Sequence, residues 1–88
     1  VKEQKYQYKI KKDLEKEGFI VLNLINVCFT GIPDLLALKP DRVYFIECKK
    51  PKGIISPIQH YVMKKLVRLG FKVDVAFGYE IKPYNPCY

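Results

Sequence analysis

The sequence predicts one α/β domain, a small mixed central β-sheet flanked by helices in the order α-β-β-β-α-β. Three observations carry this. Apolar residues recur at helical spacing in two segments, set among short, nearly continuous apolar runs. Lys39-Pro40-Asp41-Arg42 is turn chemistry and joins two of those runs into a hairpin. The second helical segment lies between two apolar runs, the connection that a parallel strand pair requires. The length of 88 residues fits a single domain spanning 1–88.

The first helix is read over residues 4–17. Tyr6, Ile10 and Leu14 form one apolar stripe, Lys and Glu fill the other faces, and Gly18 is a stop signal. Residues 19–25 read as a strand, and a run so nearly apolar predicts cover on both faces. Residues 26–33 are irregular and end in Gly31-Ile32-Pro33, where proline lacks a donor and holds Ile32 extended. Leu35–Leu38 is a short strand. Val43–Lys49, rich in β-branched and aromatic residues, is its partner.

Pro51-Lys52-Gly53 then breaks the chain. The second helix starts near Ser56 and ends before Gly70. Ser56 is its N-cap, Pro57 suits the first helical position, and Gln59 completes an S-x-x-Q capping box. Ile58, Val62, Leu66 and Leu69 are expected to share its buried face. Phe71–Phe77 is the last predicted strand, with Phe71, Val73, Val75 and Phe77 alternating against Lys72, Asp74 and Ala76. The tail from Glu80 to Tyr88 carries two prolines and reads as a loop or an oligomer contact.

Composition narrows the function classes. The apolar fraction of 49% excludes a disordered tail. The formal charge is +7, and between Lys49 and Lys72 every charged residue is basic: Lys49, Lys50, Lys52, Lys64, Lys65, Arg68 and Lys72. Such a field attracts nucleic acid or an anionic membrane surface, although charge alone does not separate this from a solvated basic face. Three cysteines without a C-x-x-C pair argue against a zinc site and for a reducing compartment. No signal peptide is evident, and no apolar run is long enough to span a bilayer, so no membrane role is expected.

One constellation carries chemistry. Side chains alternate along a strand, so Glu47 and Lys49 share a face and Cys48 points away. A turn centred between Pro40 and Asp41 pairs Asp34 with Glu47. Cross-strand β-carbons lie roughly 4.5–5.5 Å apart, a spacing that lets two carboxylates chelate one hard cation such as Mg²⁺. A cation also removes their mutual repulsion. The Cys48 main-chain carbonyl is a further possible ligand. Lys49 would orient or deprotonate a water, or neutralise charge developing on phosphorus. Read separately, an Asp after Pro and a Glu-x-Lys strand are common structural features. Their joint register favours a site, as does the cost of burying an idle carboxylate in the apolar Tyr44–Cys48 strand.

Gly31-Ile32-Pro33-Asp34-Leu35, Phe45-Ile46-Glu47-Cys48-Lys49-Lys50-Pro51 and Ser56-Pro57-Ile58-Gln59 together resemble the VRR-NUC domain (virus-type replication-repair nuclease), a member of the PD-(D/E)XK nuclease superfamily. The match runs from the first helix to the Val73 strand. The resemblance implies a PD-(D/E)XK nuclease-like α/β core, with Mg²⁺ or Mn²⁺ held by Asp34, Glu47 and the Cys48 carbonyl. It gives Lys49 a catalytic role and places Gln59 at the edge of the active site, compatibly with its capping role. The family tends to carry an acidic residue on the first helix, facing the metal. Glu3 is the nearest candidate here, against a reading as a solvated helix end, and Lys5 stands where an acid might be expected.

The implied activity is a metal-dependent DNA endonuclease, selective for branched or four-way-junction DNA and homodimeric. Its implied setting is the cytoplasm, as a phage or viral protein in its host or a bacterial one. Small size supports pairing independently. Lys50, Lys52, Lys64, Lys65 and Arg68 are candidates for phosphate contact. A catalytically silent nucleic-acid-binding module on the same fold is the alternative. A restriction-type enzyme is less favoured, because so short a chain leaves little room for a recognition domain. His60, the lone histidine, reads as a packing or surface residue. Tyr84 and Tyr88 are expected to stack on bases or to pack against a partner chain.

Overall fold

A computed structural model describes residues 2–88, with side chains described from Gln4 onward. Among these residues the elements are α1 (Lys2–Lys16), β1 (Ile20–Asn23), β2 (Leu35–Lys39), β3 (Arg42–Lys49), α2 (Pro57–Arg68), β4 (Lys72–Phe77) and β5 (Glu80–Pro83). The strands form one mixed sheet in the order β1-β2-β3-β4-β5. Only β3 and β4 run parallel, joined through α2; the other neighbours are antiparallel. The predicted α/β class and mixed sheet are therefore present, with one strand more than expected.

The sheet separates two apolar layers. On one side Ile10 and Leu14 of α1 pack with Phe19, Val21, Leu35, Ala37, Ile46, Cys48 and Ala76. On the other, Met63 of α2 packs with Ile55, Val73 and Val75, and Phe45, Leu66 and Phe77 close over them. Strand alternation produces this division. Ile46 and Cys48 face α1, whereas Phe45 and Glu47 between them face α2. Each fully buried aliphatic side chain contributes about 1.5–3 kcal/mol, so both helices are held mainly by these layers.

The hairpin forms as its turn chemistry predicts. Pro40 and Asp41 connect the strands, Asp41 adopts a left-handed φ of 65°, and Leu35 pairs with Ile46. Asp tolerates that backbone better than most residues, which makes a two-residue connection possible.

Three expectations change. β1 is shorter than residues 19–25 and is not covered on both faces: Ile20 is 65% exposed, because β1 is an edge strand and α2 lies over β4. The inward stripe of α2 is only partly the expected one: Val62 is buried and Leu66 packs on the core as expected, Met63 joins them, and Ile58 in the first turn and Leu69 at the C-cap are exposed. Both faces of β4 are covered: Asp74 and Ala76 are buried beside Val73 and Val75, and Asp74 pairs with Lys72 at 3.2 Å. Finally, Glu80–Pro83 is not a loop but an antiparallel edge strand on β4. Two charged residues and a proline in four positions hide its strand character from a pattern reading. Among the described residues no helix is long and apolar enough to cross a membrane.

Candidate active site

The open end of the β2–β3 hairpin meets the N-terminus of α2. The chain reaches it through a tightly packed approach. Gly31 has φ +88° and lies against α2, where a β-carbon would sit 2.9 Å from the Ile58 carbonyl oxygen and 2.9 Å from Val62 Cγ2. Pro33 is buried just beyond it. The Asp34 carbonyl then accepts from Leu24 N–H at 2.8 Å, fixing the last step before β2.

The β2–β3 ladder begins at Leu35 and Ile46. One further step sets Asp34 opposite Glu47, on the face that α2 covers. Asp34 Oδ2 accepts from the Cys48 main-chain N–H at 3.0 Å, which ties the carboxylate to β3 directly. The Cys48 thiol is buried in the α1 layer, so only its main chain belongs to this face.

Glu47 is 2% exposed. Its Oε2 accepts from Gln59 Nε2 at 3.2 Å and lies 3.8 Å from Lys49 Nζ. The Lys49 side chain is itself only 13% exposed, so the pair is poorly screened by water. Gln59 makes three contacts at once. Its Oε1 accepts from Ser56 N–H at 2.9 Å, its own N–H donates to Ser56 Oγ at 3.3 Å, and its Nε2 reaches Glu47. The capping box and the contact with the acid therefore coexist, as the sequence allowed.

The donor set suits a hard cation. The hairpin register brings two carboxylates to one face, and among the described residues no group of three or more His, Cys, Asp or Glu is placed to hold a metal ion of any kind, so an ion here would take two carboxylates with main-chain oxygen and water. Carboxylate oxygen completed by water is the chemistry Mg²⁺ and Mn²⁺ take, so these residues fit such an ion. The Glu3 side chain lies outside the described residues.

The basic candidates Lys50, Lys52, Lys64, Lys65 and Arg68 are all exposed. The first two follow β3, and the others lie on α2. Lys65 and Arg68 also complement the C-terminal end of the α2 dipole.

The tail tyrosines are half-buried in packing within the chain. Tyr84 and Tyr88 pack against the α2 layer, and Tyr88 sits edge-on to Phe77 with ring centroids 5.2 Å apart. His60 Nδ1 lies 2.6 Å from Tyr84 Oη, and Nε2 lies 2.7 Å from the Tyr88 main-chain oxygen. That oxygen can only accept, so Nε2 carries a proton, and in the neutral ring Tyr84 donates to Nδ1. Burial, and secondarily Cys87, push the Tyr84 hydroxyl above its ordinary range, which keeps it a neutral donor. His60 is thus a packing residue that clasps the tail, a role whose only sequence signal is the aromatic pair near the chain's end.

No family model matches the chain. It is 36% identical over 66 residues to the crossover junction endodeoxyribonuclease of Sulfolobus islandicus rod-shaped virus 1, covering 72% of this chain and 54% of that protein. The chain thus spans about half the length of that relative. It is 26% identical over 87 residues to the "Putative nuclease p44" of Acyrthosiphon pisum secondary endosymbiont phage 1, covering 98% of this chain and 94% of the relative. A solved VRR_NUC domain superposes with a TM-score of 0.81 at 27% identity, over 90% of this chain and 87% of that one. Motif spacing, hairpin register and backbone agree, and the chain is similar in fold and sequence to the VRR_NUC domain.

Proposed function

We propose that this domain is a Mg²⁺- or Mn²⁺-dependent endodeoxyribonuclease that cuts branched DNA as a homodimer. The observation that carries this reading is the meeting of the Glu47 carboxylate, the Lys49 amine and the Gln59 amide, with Asp34 set opposite Glu47 one step beyond the Leu35–Ile46 pair. The names of the viral and phage relatives support a nuclease, and one of them is a junction endonuclease. Those origins also favour action in the cytoplasm of a host cell.

Asp34, Glu47 and the Cys48 carbonyl would hold the ion, which when bound supplies an activated water and a Lewis acid for the phosphate. The chain's own groups do the rest. The Cys48 N–H fixes the Asp34 rotamer, and Gln59 holds Glu47 Oε2 in place. Lys49 carries a positive charge beside the reacting phosphate, where it orients the attacking water and offsets charge on five-coordinate phosphorus. Lys50, Lys52, Lys64, Lys65 and Arg68 contact flanking phosphates, which raises affinity and salt dependence without choosing a sequence. An apolar groove lined by Phe29, Ile32, Tyr61 and Leu69 supports self-association, and two sites per dimer match two strands to be cut.

The test is incubation with four-way junction and plain duplex DNA, with Mn²⁺ or EDTA, beside a measured solution mass. Metal-dependent cleavage that favours the junction, at the mass of a dimer, is the expected result. Binding without cleavage under every metal would favour the silent module instead.

Gln59→Glu provides a finer check. It keeps an acceptor for Ser56 N–H but replaces the donor facing Glu47 with a second carboxylate. Cleavage is expected to fall roughly 10–100-fold with helix content unchanged by circular dichroism. Full activity in that variant would leave Gln59 with its capping role alone.

A further inference from the structure

With Tyr84 and Tyr88 taken up by internal packing, a different tyrosine stands exposed on a turn tied to the end of the strand that carries Glu47 and Lys49. Tyr79 lies in the turn between β4 and β5 and is 52% exposed. An exposed turn tyrosine by itself implies nothing. Three features set this one apart.

The first is a tether to the site. Gly78 N–H donates to the Lys49 carbonyl at 2.7 Å, so the turn is fixed to the strand that carries Glu47 and Lys49. Pro51 presses on the same glycine, where a β-carbon would meet Pro51 Cγ at 3.0 Å. The second is a brace. Tyr6, near the start of α1, meets Tyr79 edge-to-face, with centroids 4.9 Å apart and planes at 67°. That geometry orders the ring while leaving half the residue in solvent. The third is charge. Exposed Lys50 and Lys52 flank Pro51, and Lys5 Nζ lies 5.9 Å from the Tyr6 ring centroid. An ordered, wet aromatic ring whose bracing segments carry exposed lysines is an arrangement that takes a nucleobase on a tethered phosphate.

We propose that Tyr79, braced by Tyr6, is a stacking platform for an unpaired nucleobase of the DNA strand held at Lys49. This rests on the nuclease reading and deepens it. A base inside an intact duplex already has neighbours on both faces, so the platform engages only a nucleotide that has left the stack. It therefore selects the structure of the DNA at the cut, such as a branch point or a flap, and not its sequence.

The full-length protein and a branched duplex carrying one 2-aminopurine at its unpaired position provide the test. Binding is measured in Ca²⁺, and cleavage separately in Mn²⁺. Tyr79→Ala is expected to weaken binding to the branched duplex about tenfold while changing a fully paired duplex less than about twofold. It should raise KM for the branched substrate more than it lowers kcat, and abolish the 2-aminopurine fluorescence change seen with the native protein. Tyr79→Phe keeps the aromatic face and should restore all three. Equal losses on branched and paired DNA, or an unchanged fluorescence signal with Tyr79→Ala, would overturn the platform. If the native protein cuts DNA and Tyr79→Ala cuts with unaltered KM, the platform alone fails. If the native protein neither binds nor cuts DNA, the nuclease reading fails and the platform with it.

Discussion

Glu47→Gln is expected to give a folded protein whose cleavage rate is lower by roughly a hundredfold or more. The substitution is isosteric in a site that is 2% exposed, and the new carboxamide oxygen can still accept from Gln59 Nε2. What disappears is one negative charge. The change also leaves the Lys49 ammonium, 3.8 Å away and largely buried, without its counter-charge, so thermal stability is expected to fall while the protein stays folded and activity collapses further than the unfolded fraction explains. Asp34→Asn makes the matching case on the partner strand. Its amide oxygen can still accept from Cys48 N–H, so the hairpin end keeps its tie and loses only its anion. Activity loss in both variants at temperatures where each is fully folded separates a chemical role from a structural one. Cleavage at the native rate in either variant would remove the shared-cation assignment.

Gly31→Ala carries the second large expected effect, and here stability moves. At φ +88° an L-residue costs about 1–2 kcal/mol. The added methyl would also meet the Ile58 carbonyl, Val62 Cγ2 and Ile58 Cγ1 at 2.9, 2.9 and 3.0 Å. The carbonyl belongs to the α2 backbone and cannot swing aside, so overpacking adds about 1–3 kcal/mol. A total near 3 kcal/mol would lower Tm by more than about 10 °C in a domain of this size. Gly70→Ala is the control. Gly70 has φ +97° but nothing lies within 4 Å of the added atom, so only the backbone cost applies. Denaturant titration of both variants should rank Gly31→Ala clearly below Gly70→Ala. Because Gly31 leads directly into Asp34, its cleavage rate should also fall further than the unfolded fraction explains. Equal stabilities would mean that the loop shifts without resistance.

Why some of this was legible in the sequence and some was not follows from how local each determinant is. The two-residue turn at Pro40-Asp41 fixes the hairpin register, so the Asp34–Glu47 pairing could be read without coordinates. The Ser56–Gln59 capping box spans one helical turn and was equally legible. The inward face of α2 is legible at Val62 and Leu66 but not at its ends, because Gln59 occupies the first turn of that face. A polar residue sits where an apolar one would complete the stripe, and the periodicity shifts toward Ile58. β5 was missed because an edge strand of four residues is defined by its neighbour β4 and not by its own composition. The aromatic tail is legible only once His60 is seen to hold it, since that contact joins residues far apart in the chain.

The carboxamide of Gln59 serves two masters. Winding the first turn of α2 and steering an oxygen of Glu47 draw on the same side chain, so neither can be tuned alone. A lesion at Ser56, chemically inert and absent from any reaction scheme, would loosen the helix start and thereby unsettle the acid. Evolution of this domain toward a sturdier or a softer helix start therefore also resets how firmly its acidic group is aimed.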